Sequence, residues 1–301
     1  MKILFQRALP ISLVTLLTTF VMPLTHAGPL KEANVTQIVK EVNLLPEQAA
    51  ARPAAVNDKV TEKTAVRTGV ESRSELTFPD RTLTRLGPQT IFSFREGNRT
   101  FNVGGDGSIL LNVPKNSGGG KVNSAAVTAA ITGTTVLLET HHFPKDTGYH
   151  PDSDYTKTNA WFKFLVLEGE ARFCRRNHTS DCVVVHEGEM LVGRADSPLG
   201  RPVPFDINQF MLNYVLTAEF PSPLPADVLA LIAAAANQQQ GPLANALIAS
   251  IDTSPFGVTV GNVQTISNTL GTINPSNMEM GTINPANLGG QVNTPEQSGP
   301  P

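Results

Sequence analysis

The sequence predicts a mainly β fold, on three observations. Between Val66 and Glu139, short apolar runs rich in β-branched and aromatic residues are each closed by a polar turn. The chain holds 23 prolines and 24 glycines, which favour many turns over long helices. Strands at this regular spacing argue for a sandwich, barrel or solenoid of short strands, not a parallel α/β sheet, and helical spacing appears clearly only after residue 204.

At the N-terminus, Lys2 and Arg7 form a basic region, Ile11 to Met22 an apolar core, and Thr25-His26-Ala27 a small-x-small end. This pattern predicts a signal peptide over residues 1–27, removed after Ala27, and a periplasmic or secreted bacterial protein. The apolar core is too short to span a bilayer comfortably, and no lipobox cysteine precedes the expected mature start. Cleavage would move the formal net charge from -3 to about -5. A mildly acidic, well-mixed chain lacks the clustered Lys and Arg of a nucleic-acid footprint. Arg172, Arg175 and Arg176 form a small basic spot, read as a solvated hairpin tip.

From Gly28, the stretch EANVTQIVKEVNLLP begins with the alternation of a strand and ends with the spacing of a helical turn, so periodicity leaves its type open. The Ala- and Pro-rich Ala49 to Ala55 then breaks regular structure and reads as a surface connection. Strands follow at Thr64 to Gly69, Ser74 to Phe78, Thr82 to Leu86, Thr90 to Phe94, Phe101 to Val103 and Ile109 to Val113. Turns at Pro79-Asp80, Gly87-Pro88 and Gly104 to Gly107 separate them. Small residues between Lys121 and Gly133 permit close backbone approach, and Gly133 marks a tight bend before the strand Thr134 to Glu139. WFKFLVLEGEARF (Trp161 to Phe173) and CVVVHEGEMLVG (Cys182 to Gly193) each carry a Glu-Gly step that reads as a turn between short strands.

Phe205 to Phe220 has apolar residues at Ile207, Phe210, Met211, Tyr214 and Val215, a helical spacing suited to docking on the β body. Pro221 to Pro225 stops it. Asp227 to Asn237 reads as a second helix ended by Gln238 to Gly241, and Leu243 to Ile251 as a third, short one. Residues 205–252 thus form a small helical segment. From Thr253 the chain is poor in charge, and Gly271 to Asn277 is echoed at Gly281 to Asn287. Two copies are too few for a solenoid, and residues 253–301 read as a disordered, low-complexity tail.

The two cysteines, Cys174 and Cys182, flank a polar loop between β-type runs. An oxidising compartment favours a cross-hairpin disulfide over two free thiols, with a contribution of about 3 kcal/mol at most from so short a loop. A lone C-x7-C pair is too sparse for a structural zinc site.

The pieces VRTGVESRSELTFPD (Val66 to Asp80), LTRLGPQTIFSF (Leu83 to Phe94), RTFNVGGDGSILLNVPK (Arg99 to Lys115) and VNSAAVTAAITGTTVLLE (Val122 to Glu139) together resemble the FecR domain. FLVLEGEARF and VVVHEGEMLVG continue the resemblance. It implies an extracytoplasmic all-β module of stacked short strands, sandwich-like or solenoidal, over residues 28–204. One turn that often reads Asp-Gly in such domains is Asp80-Arg81 here, tolerable where positive φ is not demanded. Regulators of the family place an anti-sigma segment and a transmembrane helix before this domain, and here only a cleavable signal is expected. The resemblance brings no catalytic residues.

The residues agree: no GxSxG elbow, HExxH, P-loop or dinucleotide fingerprint is present. The insertion from His141 to Asn159 is the best metal candidate. His141, His142 and His150 could supply imidazoles, and Asp146, Asp152 and Asp154 oxygens. The glycine and terminal glutamate of a calcium loop are missing, and adjacent His141 and His142 point to opposite faces of a strand, so the weak set reduces to His141, His150, Asp152 and Asp154. Glu168, Glu170, Glu187 and Glu189 invite a paired-carboxylate reading, but all flank turn glycines and read as solvated acids. Trp161, the only tryptophan, reads as a strand-end aromatic packed on the β core. The expectation is a non-enzymatic binding or sensing module without a cofactor, presenting its β scaffold to a protein or polymer partner in the envelope. Metal or carbohydrate binding through the His141 to Asn159 insertion is the alternative.

Overall fold

The structure, a computed structural model, describes residues 30–142 and 160–243 except 177, 179 and 196, together with 248–251 and 258–261. The chain opens with β1 (Glu32–Val39), β2 (Val42–Pro46), β3 (Arg52–Pro53), β4 (Lys59–Thr61), β5 (Thr64–Thr68) and β6 (Arg73–Thr77). It continues through β7 (Leu83–Leu86), β8 (Thr90–Arg95), β9 (Thr100–Gly105), β10 (Ser108–Val113), β11 (Gly120–Asn123) and β12 (Val127–Ile131). Then come β13 (Thr134–His142), β14 (Ala160–Glu168), β15 (Glu170–Arg175), β16 (Cys182–His186), β17 (Glu189–Arg194) and β18 (Val203–Pro204).

These strands build two nine-stranded sheets. Sheet I runs β18-β17-β14-β13-β10-β7-β6-β1-β4, and sheet II runs β16-β15-β12-β11-β9-β8-β5-β2-β3. The chain moves back and forth between the sheets while advancing along both. Pairing within the two sheets is antiparallel except between β9 and β11. The result is a sandwich that grows like a solenoid, as the punctuated strands predict.

Period-two alternation places one side of every strand in the space between the sheets. Val66, Phe92, Phe94, Phe101, Val136, Phe164 and Phe173 are among the side chains that fill it. Phe78 meets Phe94 edge-on at 4.9 Å between centroids, and Phe164 meets Phe173 at 4.7 Å. In β10 the alternation splits the run Ile-Leu-Leu-Asn-Val: Ile109, Leu111 and Val113 enter this core, while Leu110 enters a second core on the outer face of sheet I. That explains why β10 is buried at every position.

The second core is covered by α1 (Ile207–Asn213), α2 (Val215–Ala218) and α3 (Ala226–Leu243). Phe205, Ile207, Phe210, Leu216, Val228 and Ile232 pack there against Leu83, Leu137, Leu165 and Met190. The Asp206 carboxylate caps α1 by accepting from the Gln209 backbone N–H at 3.1 Å. The single helix expected over 205–220 is divided at Tyr214, whose backbone is extended at φ -83°, ψ 135° and separates α1 from α2. The α3 helix runs past the Gln238–Gly241 stop expected of it. The third helix expected at Leu243 to Ile251 does not form: Ile248–Ile251 is a strand, β19, paired with β20 (Val258–Gly261). The β20 run, Val-Thr-Val-Gly, is rich in β-branched residues, and β19 begins and ends on isoleucine, a composition that suits a strand ladder. Within the tail expected over residues 253–301, β20 is the described element, and the two echoed segments beyond it lie outside the described residues.

The undecided stretch after Gly28 is two strands, β1 and β2, and within Ala49 to Ala55 the short β3 pairs with β2. Gly133 lies at φ +64°, and a Cβ there would come within 2.7 Å of the Lys115 backbone, so the bend before β13 requires glycine. The Asp80-Arg81 turn does demand positive φ: Arg81 stands at φ +66°. Asp80 holds the turn by accepting from the Thr82 N–H at 2.9 Å and from Arg99 Nη2 at 2.7 Å. The Arg81 guanidinium reaches Asp227 of α3 at 3.5 Å, a contact glycine could not make.

Candidate functional site

The outward positions of sheet I are not all apolar. Glu75 on β6, Arg85 on β7, Glu139 on β13 and Lys163 on β14 are buried beneath the helical cover. Burying charge requires partners, and each of these side chains has one. Arg85 is fully buried, and its Nε donates to Glu75 Oε2 at 2.8 Å. Its two terminal nitrogens donate to the carbonyls of Leu216 at 3.0 Å and Ser222 at 2.7 Å. The guanidinium also lies 4.2 Å from the Phe220 ring centroid. Thr36 completes the group by donating to Glu75 Oε1 at 2.7 Å. Burial lowers the Arg85 pKa, with Glu75 opposing that shift, and the guanidinium stays charged. One arginine thus clamps the segment that joins α2 to α3 onto the sheet.

A second cluster surrounds Glu139. Cross-strand pairing sets Lys163 opposite it on β14 and Ser108 opposite it on β10. The Lys163 ammonium is 3.0 Å from Glu139 Oε2, off the direction of a good hydrogen bond, so the contact is ionic in character. His141 lies 2.9 Å from Oε1, and the Tyr214 hydroxyl donates to Oε2 at 3.1 Å. Burial drives the Glu139 carboxyl upward, but Lys163 and His141 outweigh it and hold the pKa below the ordinary carboxylate value. Burial, followed by the Glu139 charge, pushes the Tyr214 phenol well above its ordinary value. The residue that divides α1 from α2 is therefore tied to a buried charge group of the sheet.

Beside the Arg85 clamp, the cover stands away from the sheet and leaves a cleft of about 770 Å³. Thr36, Thr77, Asn112, Lys115 and Glu168 line its sheet side, and the Ser222 to Leu231 stretch its other wall. Lys115 and Glu168 pair on the sheet side at 3.1 Å, and Gln37 Oε1 accepts from the Ser222 N–H of the other wall at 2.9 Å. The cleft offers paired charges, amides and hydroxyls around an apolar wall, which suits binding by complementarity.

The residues singled out from sequence fall in several places. His141 belongs to the Glu139 cluster, while His150, Asp152 and Asp154 lie outside the described residues. Among the described residues no group of three His, Cys, Asp or Glu is placed to hold a metal ion. Glu168 is buried and paired, not solvated as its turn position suggested. Glu187 accepts from the Gly169 N–H at 3.2 Å, Glu189 accepts from the His186 N–H at 2.9 Å, and exposed Glu170 faces His186 at 3.7 Å. Trp161 stands outside the core between the sheets, with the Arg194 guanidinium 5.7 Å from its ring. Arg175 pairs with Asp181 at 3.0 Å and Arg176 donates to the Ser124 carbonyl at 2.8 Å, so among the described residues only Arg172 of the basic spot projects free of such contacts. Cys174 and Cys182 face each other across β15 and β16 and form a disulfide.

Residues 64–148 match the family described as FecR protein. The described part of that segment is β5 through β13, so it supplies strands to both sheets and includes Arg85, Asn112, Lys115 and Glu139. The FecR resemblance read from sequence is therefore shown. Two crystal structures of a candidate anti-sigma factor from Parabacteroides distasonis ATCC 8503, at 1.65 and 2.50 Å resolution, are similar to the chain at 12% identity and a TM-score of 0.36. Each similarity covers 50% of this chain and 65% or 64% of the solved one, just under two thirds of those proteins. Among curated proteins no relative matches. No helix among the described residues is long and apolar enough to cross a membrane.

Proposed function

We propose that this protein is a non-enzymatic, extracytoplasmic binding or sensing module of the FecR-like type. In this reading it engages a protein partner of the cell envelope at the cleft between sheet I and the helical cover. The observation that carries it is the FecR match over residues 64–148, because that segment forms much of the cleft's sheet side. Next to the cleft the cover is tied to the sheet by buried polar contacts in addition to its apolar core, so occupancy of the cleft would be felt by the Ser222 to Leu231 wall and through it by the Arg85 clamp. Photo-crosslinking in intact cells tests this. A crosslinker at Asn116, on the cleft rim, is expected to capture one defined envelope protein, and Leu231→Arg on the opposite wall is expected to abolish capture. No specific adduct, or capture indifferent to Leu231→Arg, would sink the reading, as would catalytic turnover by the purified protein that is lost with Glu168→Gln.

A further inference from the structure

The outer face of sheet II has no helical cover among the described residues. Alternation turns Arg67, Arg95, Lys121 and Arg172 outward, and all four are exposed. None makes a side-chain hydrogen bond or ion pair among the described residues. Exposed cations elsewhere do: Lys40 pairs with Glu71, Arg52 with Asp58 and Lys59 with Glu32. In a chain of formal net charge -3, four uncompensated cations are gathered on one sheet face.

Three of them, Arg95, Lys121 and Arg172, fall in one register row, and Arg67 stands apart opposite Ile91. Arg95 stands opposite Thr100, Thr100 opposite Lys121, Lys121 opposite Ala130, and Ala130 opposite Arg172. A cation therefore occurs on every second strand, at intervals of about 9.6 Å and over a span of about 19 Å. The neighbouring row, in the same register, is Ser93, Asn102, Asn123 and Thr128, a line of hydroxyl and amide groups. A shallow hollow of about 460 Å³ at the β8 end of the two rows is lined by Ser93, Arg95 and Asn102. Some acidic groups share this face: Glu47 and Glu62, with Lys63, line the other wall of the hollow, and Glu170, two positions from Arg172 on β15, lies 3.7 Å from His186.

The strands of this face turn no Phe, Tyr or Trp outward. A single-stranded nucleic acid would want aromatic platforms for its bases, and a protein partner would want aromatic anchors. A sugar polymer with acidic groups needs neither. We propose that the outer face of sheet II binds a linear anionic polysaccharide laid across the strands, its acidic groups meeting Arg95, Lys121 and Arg172 and its hydroxyls meeting the Ser93 to Thr128 row. Guanidinium groups suit the task because they hold oxyanions through two parallel hydrogen bonds. This face lies on the other side of the sandwich from the cleft, and either proposal can fail without the other.

The test uses the full chain, with sodium polygalacturonate as probe, its methyl ester as neutral control and oligothymidylate as the nucleic-acid control. Biosensor titrations compare the native protein with Arg95→Gln/Lys121→Gln/Arg172→Gln and with Lys40→Gln/Arg52→Gln/Lys59→Gln, which removes the same charge elsewhere. The native protein is expected to bind polygalacturonate and not the ester, with affinity falling as salt rises. The first variant is expected to bind at least about tenfold more weakly, the second within about twofold of native. Should the triple variant melt at a lower temperature, Lys121→Glu alone carries the same expectation. The proposal is overturned if polygalacturonate does not bind at low salt, if both triple variants lose affinity equally, if neither does, or if oligothymidylate binds as tightly.

Discussion

The two outer faces of the sandwich both carry charged side chains at outward strand positions, and the molecule treats them in opposite ways. On sheet I, Glu75, Arg85, Glu139 and Lys163 are enclosed by the segment from Phe205 to Leu243 and serve as its anchor points. On sheet II, Arg67, Arg95, Lys121 and Arg172 stay in solvent. Strand chemistry does not separate the two sets; the presence of a cover does. A charge under that cover must be paired, so each partner becomes structurally necessary, whereas an open charge remains available to something outside the chain.

Arg85→Ala is the severest way to break this contrast. It strands the Glu75 carboxylate and releases the carbonyls of Leu216 and Ser222, and should cost about 3–5 kcal/mol in denaturant unfolding. Arg85→Met/Glu75→Leu should recover most of that loss, because an apolar pair of similar volume leaves no uncompensated charge.

Glu139→Gln comes next, with an expected loss of about 2–4 kcal/mol, since the Lys163 ammonium keeps its burial but loses its counter-charge. The pH dependence has a definite sign. The folded pKa of Glu139 is depressed, so its stabilisation is complete above the unfolded carboxyl value of about 4.3 and is lost as pH falls through the folded value. The acid limb of the stability profile should be flatter in Glu139→Gln than in the native protein, as thermal melts between pH 7 and 2 would reveal.

Tyr214→Phe removes one hydrogen bond from the same cluster and should cost about 1 kcal/mol, with faster proteolysis near the α1–α2 junction. On the open face, Arg95→Gln or Arg172→Gln should change stability by no more than about 0.5 kcal/mol. A substantially larger loss there would mean that sheet II is not bare in solution.

The sandwich was legible in the sequence because turns are written locally. Pro, Gly and Asp punctuate the strands, and glycines 133, 169 and 188 all take positive φ. The covered charge groups were not legible, for a physical reason. A polar residue at an alternating strand position reads as solvent-facing, and Arg85 and Lys163 have that local signature. Their covering residues lie far along the chain: Leu216 is 131 positions from Arg85, and Tyr214 is 75 from Glu139. One signal was present in Ser108–Val113, where apolar residues on both faces require two cores. The break at Tyr214 was missed because helical spacing reports which side chains face the sheet and is silent on whether the backbone stays helical between them.

The ends of the sandwich bear on how the molecule avoids polymerising. A sheet that grows by adding strands could, in principle, continue into a neighbouring copy through its terminal strands. Sheet I ends in the two-residue β18 and the three-residue β4, and sheet II begins at the two-residue β3. The β18 and β3 strands each contain a proline, which has no backbone N–H to offer. The five-residue β16, fastened to β15 by the disulfide, is the longest terminal strand. Any fibre built from this protein would therefore have to start at one corner, with no equally long acceptor at the other end to carry it on.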